Sequence, residues 1–390
     1  MGRFWAALDQ RLELVAASLG ANRWQTFWYI TLPIAAPAIG AAAALIFLFT
    51  FTSFGVILLL GGARFATLET EIYRQTSQSL RLDIAASLAF VQLLITLALG
   101  FVSSRLQSRA TVALDLQASA ATSQPITTTR LRVLLIGLLA FIGLIIVSPL
   151  LALALRSLDL GDPLRFYAAL SQNPRGSAFF VSPLIAMRNS LGFASLTAVL
   201  ALGMGVPLAY VLSQKPTYFT RWLDVLLLLP LGTSAVTLGL GMFIAFGSPI
   251  DLRTSPILLP LAHTLIALPF VVRTLLPAAR AIGPALREAA AQLGASPLQV
   301  LRYIDVPLLS GPLIAAAVFA FATSLGEFGA SLLIARPEYP TMPLVISDLL
   351  GRPGASNYGQ AMAMSTVLMG VTMVSVLVIE RLGRGKTTYS

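Results

Sequence analysis

AAQLGASPLQVLRYIDVP, residues 290–307, repeats AASLGANRWQTFWYITLP, residues 16–33, without a gap. At an offset of 274 the two stretches agree at nine of 18 positions: Ala16/Ala290, Ala17/Ala291, Leu19/Leu293, Gly20/Gly294, Ala21/Ala295, Gln25/Gln299, Tyr29/Tyr303, Ile30/Ile304 and Pro33/Pro307. Apolar residues match by chance in any hydrophobic chain, but gapless matching of Gly, Gln, Tyr and Pro does not arise that way. The same offset pairs Phe54-Gly55 with Phe328-Gly329 and Thr67 with Thr341. The chain therefore contains two related halves, and everything outward from these stretches is divided accordingly.

Each stretch leads into a long apolar run. Eight runs are long enough to span a bilayer, at about 34–60, 84–104, 131–154, 190–212, 223–246, 257–279, 311–335 and 361–380. Each is near or above the ~20 residues a helix needs to cross hydrocarbon. Segments such as Leu131–Val147 are apolar on all sides, which fits helices and not the alternating pattern of a barrel strand. Of the 390 residues 57% are hydrophobic and 11% charged, with a mean hydropathy of +0.83. A water-soluble fold could not hide that much apolar surface. The expected fold class is all-α and polytopic, with about eight transmembrane helices in a parallel internal repeat.

The formal charge of +10 does not point to nucleic acid, because the basic residues sit between apolar runs and form no compact basic domain. There is no cysteine, which excludes disulfides, thiolate catalysis and cysteine-ligated metals, and the single histidine, His263, can build no histidine cluster. Met1–Gln10 lacks the apolar core and cleavage site of a signal peptide. With Met1–Pro33 placed inside and sides alternating from there, the inner joints collect 16 of the 26 basic residues against seven acidic ones, a balance of +9. The remaining residues balance to +1. The positive-inside rule then puts both termini in the cytoplasm of a cell-membrane protein.

Both repeated stretches fall in inner joints. Arg287–Leu293 is rich in good helix formers. Gly294 can take positive φ and end that helix. Ser296-Pro297 supplies an N-cap followed by proline at the first helical position, which predicts a second short helix from Pro297 to about Tyr303. Asn22 stands where Ser296 does and caps equally well. Each copy thus predicts a helix, a glycine turn and a helix outside the bilayer, ending at Pro33 or Pro307 where the next span begins. The alanines permit close approach by another surface. A plain amphipathic interface helix is the alternative, but two copies in equivalent positions favour a pair of docking elements.

Glu288-Ala289-Ala290, Gly294, Ile304 and Pro307 follow the pattern E-A-A-x-x-x-G, nine residues, I/V, any residue, a hydrophobe and P. This resembles the "EAA" loop of permease subunits in binding-protein-dependent ABC importers. The first copy is degenerate: Leu14-Val15-Ala16 stands in place of Glu-Ala-Ala, while Gly20, Ile30 and Pro33 are kept. Two copies in one chain resemble the fused, two-domain permeases of the ferric-iron and thiamine importers. LGGARFATLETEIYRQ (60–75), RLDIAASLA (81–89), SLGEFGASLLIARPEYPTMPLVI (324–346) and NYGQAMAMS (357–365) are also similar to that family. The resemblance implies that Ala16, Gly20, Ile30, Pro33, Glu288, Ala289, Ala290, Gly294, Ile304 and Pro307 form loops seated on a cytoplasmic ABC ATPase, a homodimer. It implies an extracytoplasmic solute-binding protein as second partner, a small solute such as ferric iron or thiamine as cargo, and no catalytic site, cofactor or metal in this subunit. No G-x-x-x-x-G-K-[ST] occurs, so ATP hydrolysis would come from the partner.

On this reading residues 1–106 are the C-terminal remainder of a first permease domain, 107–129 a linker, and 130–390 a complete six-span second domain. Four spans precede the loop in the second half and none in the first, so the front end of the first domain is expected to be missing. The rival readings are a secondary transporter, which would need paired ion or proton ligands within the membrane, and a membrane scaffold or sensor that docks a cytoplasmic protein. Glu327 lies inside a run, where an ionised carboxylate is costly; it lines the pathway, pairs with a basic residue, or sits structurally near the membrane edge. His263, without a nearby second ligand, is expected to be packed or hydrogen-bonded. Pro230, Pro269 and Pro277 are expected to kink or end their spans, and Arg156–Arg188 reads as an external loop with one short helix.

Overall fold

The computed structural model describes residues 15, 16, 18–61, 63–112, 129–159, 161–171, 183–214, 217–249, 251–282 and 284–384. Every regular element among them is helical. The principal helices are α1 (Leu32–Phe51), α2 (Leu68–Ser77), α3 (Leu82–Val112), α4 (Thr129–Arg156), α5 (Pro183–Ser213), α6 (Tyr218–Gly232), α7 (Ala235–Ala245), α8 (Leu258–Ala281), α9 (Pro284–Gln292), α10 (Ser310–Gly326), α11 (Gly329–Ile334), α12 (Met342–Gly351) and α13 (Ala355–Arg384). The chain is a polytopic all-α membrane protein.

Among the described residues five helical segments are continuous and apolar enough to cross a membrane: Leu82–Val102, Arg132–Arg156, Leu184–Ser213, Leu258–Ala281 and Ala355–Arg381. A sixth candidate joins Leu298–Leu308 to Ser310–Gly326 through a bend of 77°. Three of the eight apolar runs are not single helices. Run 34–60 breaks after Phe51, run 223–246 between α6 and α7, and run 311–335 at Glu327-Phe328. At the second break the buried Ser234 restarts the helix by accepting hydrogen bonds from Val236 N (3.1 Å) and Thr237 N (3.2 Å). By contrast, Pro230, Pro269 and Pro277 lie inside α6 and α8 and end neither helix. The described part of the loop after α4 includes a short helix, Arg165–Leu170. Helix α3 runs to Val112, six residues into the segment expected as linker; most of that segment, 113–128, lies outside the described residues.

The chain divides into two compact units, residues 1–53 with 90–148 and residues 54–89 with 149–390. In the first, α4 shows its apolar side chains on every face: none of its spanning window is buried, as befits a helix in contact with lipid. In the second, α8 is the central element, two thirds of it buried. Its residues Ala267, Val271 and Leu275 pack against Ala201 and Ala209 of α5 and Ala316 and Ala320 of α10. Alanines of α5 and α10 thus meet the larger buried residues of α8, while many large apolar residues elsewhere face outward, an arrangement suited to close helix packing in a membrane. Gly205 of α5 shows how tight this is, since a Cβ there would stand 2.5 Å from Val271 Cγ1.

Candidate functional site

The repeated stretches share the same turn and second limb, while most of the limb before Gly20 lies outside the described residues. In the second, α9 ends in a Schellman motif: Gly294 adopts φ +83°, Ala295 N donates to Ala290 O (3.0 Å) and Gly294 N to Ala291 O (3.0 Å). In the first, Gly20 also adopts φ +83°, and Ala21 N donates to Ala16 O (3.0 Å). A capping box follows in each. Gln299 N donates to Ser296 Oγ (3.4 Å) and Ser296 N to Gln299 Oε1 (2.7 Å). Gln25 N donates to Asn22 Oδ1 (2.8 Å) and Asn22 N to Gln25 Oε1 (2.9 Å). The matched glutamines of the repeat are therefore the reciprocal caps of Asn22 and Ser296, a role the N/S-x-x-Q spacing carries.

The second limb does not stop near Tyr303, as expected from the sequence. Pro297–Val300 continues as a π-helical turn, Leu301–Asp305, and then as Val306–Leu308. Arg23–Thr26 likewise continues as the π-helical turn Phe27–Thr31 and then as α1. The bounds of the short helix and of the π-helical turn, and the start of the helix that follows, coincide at the offset of 274. Each elbow also presents large apolar side chains at matched positions. Leu19 and Leu293, Trp24 and Leu298, and Tyr29 and Tyr303 are all between 67% and 90% exposed.

Among the residues singled out from the sequence, Gly20, Pro33, Glu288, Ala289, Gly294 and Pro307 are exposed, Ile30, Ala290 and Ile304 are half-buried, and Ala16 is buried. Sequence reasoning missed the anchor of the second elbow. Arg287 Nε lies 2.9 Å from Oδ1 of the fully buried Asp305, tying α9 to the limb that follows the turn. The guanidinium also stacks over the ring of Tyr210 on α5, 5.2 Å from its centroid. At the same offset the first copy has Glu13, outside the described residues, and Thr31.

Further along, the apolar runs of both copies break at matched positions. Helix α1 ends at Phe51 and α10 at Gly326, and Phe54 and Phe328 stand in the non-helical steps. Glu327 organises the second break. It is 8% exposed, and its carboxyl oxygens accept from Ala330 N (2.9 Å) and Ser331 N (3.0 Å), satisfying the free N–H groups at the start of α11. His263 of α8 lies alongside, with Nε2 3.2 Å from Glu327 Oε2 and Nδ1 2.7 Å from Ser324 Oγ; Ser324 in turn donates to Thr197 of α5 (3.2 Å). His263 is thus a packed, hydrogen-bonded histidine, and Glu327 pairs with it inside the protein. In the first copy Ser53 occupies the place of Glu327.

Residues 3–111 match the family described as binding-protein-dependent transport system inner membrane component. Among curated relatives, the molybdenum transport system permease protein ModB of Mycobacterium tuberculosis is 33% identical over 253 residues, which cover 61% of this chain and 90% of that protein. The thiamine transport system permease protein ThiP of Salmonella typhimurium is 26% identical over 366 residues, covering 93% of this chain and 66% of that protein. Among solved structures, the bacterial alginate ABC transporter in complex with alginate pentasaccharide-bound periplasmic protein shares the fold of one chain, with a TM-score of 0.52 and 20% identity over 66% of this chain and 95% of that one.

Proposed function

Since the chain belongs to the family of binding-protein-dependent transport system inner membrane components, we propose that it passes a small solute inward and is driven by a separate ATPase dimer seated on the two elbows. The observation that carries this reading is the duplication of the elbow: equal positive φ at Gly20 and Gly294, equal capping boxes, and the same exposed apolar positions in each copy. A surface that must meet two copies of one partner needs the same shape twice. The capped turns make each elbow stiff enough to transmit a push, and the π-helical turns lead that push into α1 and α10. On this reading residues 12–33 and 286–307 are cytoplasmic, with both termini inside, residues 1–106 and 130–390 belong to separate permease domains, and Glu288 faces the ATPase groove from its exposed site on α9.

The cargo is delivered on the outer face by a solute-binding protein. Thiamine is the cargo named for ThiP and molybdenum that named for ModB; the resemblance of two loop copies in one chain to fused permeases adds ferric iron. Titrating the cognate binding protein with thiamine, ferric iron and molybdate decides among them. The coupling role is tested by co-purifying the chain with a candidate ABC ATPase partner and measuring ATP-dependent uptake. Replacing both Gly20 and Gly294 by proline, whose φ near −65° is incompatible with +83°, is expected to lower ATPase capture or uptake about tenfold or more. Intact complexes with unchanged uptake would falsify the coupling role.

A further inference from the structure

Phe54 and Phe328 are counterparts in the repeat, and they touch. Their rings stack with centroids 5.9 Å apart and planes 22° from parallel. A residue in contact with its own repeat counterpart lies beside the axis relating the two copies, as in any isologous contact. Residues 54–89 and their counterparts 328–363 belong to one compact unit, so this axis is a local property of that unit. The approach is close: a Cβ on Gly55 would stand 3.3 Å from Phe328 Cδ1. Both rings leave the chain at helix breaks, and broken helices at membrane depth persist where their free backbone groups are held by protein or line a passage.

The two sides of the contact differ. The Phe328 step is held by the Glu327 carboxylate on the start of α11 and by His263 beside it. The Phe54 ring is held by apolar contact alone, edge-on to Tyr73 (5.5 Å) and within the cluster of Ile72, Ala85 and Val236. Separating the rings breaks no hydrogen bond between them, whereas moving Phe328 would disturb a buried polar cluster.

We propose that the Phe54–Phe328 stack is the apolar constriction of the solute pathway, with Phe328 as the fixed jaw and Phe54 as the moving one. Two rings meeting on the axis close a passage by excluding water, and opening it requires only that one ring withdraw. This inference rests on the transporter reading above and assigns it a gate.

The absence of cysteine from the chain makes a direct test available. The double variant Phe54→Cys/Phe328→Cys, in the full chain with its ATPase in proteoliposomes, is treated with a short bis-thiol crosslinker, and the linked peptide is quantified by mass spectrometry. Linkage is expected, with yields differing about fivefold or more between nucleotide-free and vanadate-trapped complexes. Equal yields in both states make the stack a static packing contact, and no linkage in either state denies the contact; each overturns the proposal. Should the double variant not assemble, Phe54→Leu and Phe328→Leu provide a second reading through basal ATPase rate: uncoupled hydrolysis is expected from both, and a rate unchanged in both overturns the proposal. Failure of the wild-type chain to retain the ATPase would sink the transporter reading instead, so the two failures are distinguishable.

Discussion

The two elbows share a backbone and differ in how they are anchored. Gly20 and Gly294 have the same φ, the caps are reciprocal in both, and each second limb widens into a π-helical turn at the matched residue. In the second copy a buried ion pair, Arg287–Asp305, crosses the turn; at the matched positions the first copy has Glu13, outside the described residues, and Thr31. The helix breaks repeat the lesson, with Glu327 and His263 in the second copy and Ser53 in the first. The turn has been kept twice, while Asp305 and Glu327 of the second copy are matched by the uncharged Thr31 and Ser53 of the first. A partner that reads shape would meet two alike turns.

Breaking the ion pair should separate the copies most. Asp305→Ala leaves Arg287 without its carboxylate, and a buried uncompensated charge costs about 3–5 kcal/mol. Arg287 retains 16% side-chain exposure, so roughly 2–3 kcal/mol is expected, read as faster hydrogen exchange across residues 284–305. The double variant Arg287→Met/Asp305→Leu should recover most of the loss, since replacing both partners removes the stranded charge. Thr31→Val in the first copy should cost about 1 kcal/mol or less. Equal losses at Asp305 and Thr31 would mean that the pair is not the anchor.

The next effect lies at the helix breaks. Glu327→Gln keeps the size of the side chain but replaces a charged acceptor for two backbone N–H groups, and hydrogen bonds to charged groups are worth about 1.5–3 kcal/mol each. A loss of roughly 2 kcal/mol is expected, seen as lowered exchange protection at Ala330 and Ser331. Ser53→Ala should stay within about 0.5 kcal/mol. If protection at Ala330 is unchanged, the carboxylate does not cap α11.

What could be read from the residues was whatever is local. The elbow follows from Gly294, Ser296 and a run of helix formers because each acts within one turn of itself. The polytopic class follows from composition, and the repeat from identity alone. Three things were hidden. Hydropathy reads 311–335 as continuous because Gly326, Phe328 and Gly329 are not polar, although the backbone there leaves the helix. The partners of Glu327 and Asp305 are 64 and 18 residues away, and one sequence carries no signal for which charges meet across helices. How far α6 and α8 run beyond Pro230, Pro269 and Pro277 was the third, because neighbouring packing and local adjustment can satisfy the carbonyl each proline frees.

The smallest expected effect is also the sharpest test of sameness. A Cβ added at Gly20 or at Gly294 would meet nothing within 4 Å, so alanine at either position changes only the backbone energy. An L-residue pays about 1–2 kcal/mol in the left-handed region, and part of this is offset because alanine has less freedom to lose on folding. Gly20→Ala and Gly294→Ala should therefore each cost about 1 kcal/mol, or about fivefold faster exchange at the amides of Ala21 and Ala295, which close the two turns. Asparagine, which tolerates positive φ better than alanine, should cost less at both. A ratio near one between the copies is what a shared elbow requires. A much larger loss at Gly294 would mean that the ion pair beside it makes the second turn rigid, and that a common φ conceals two mechanically different elbows.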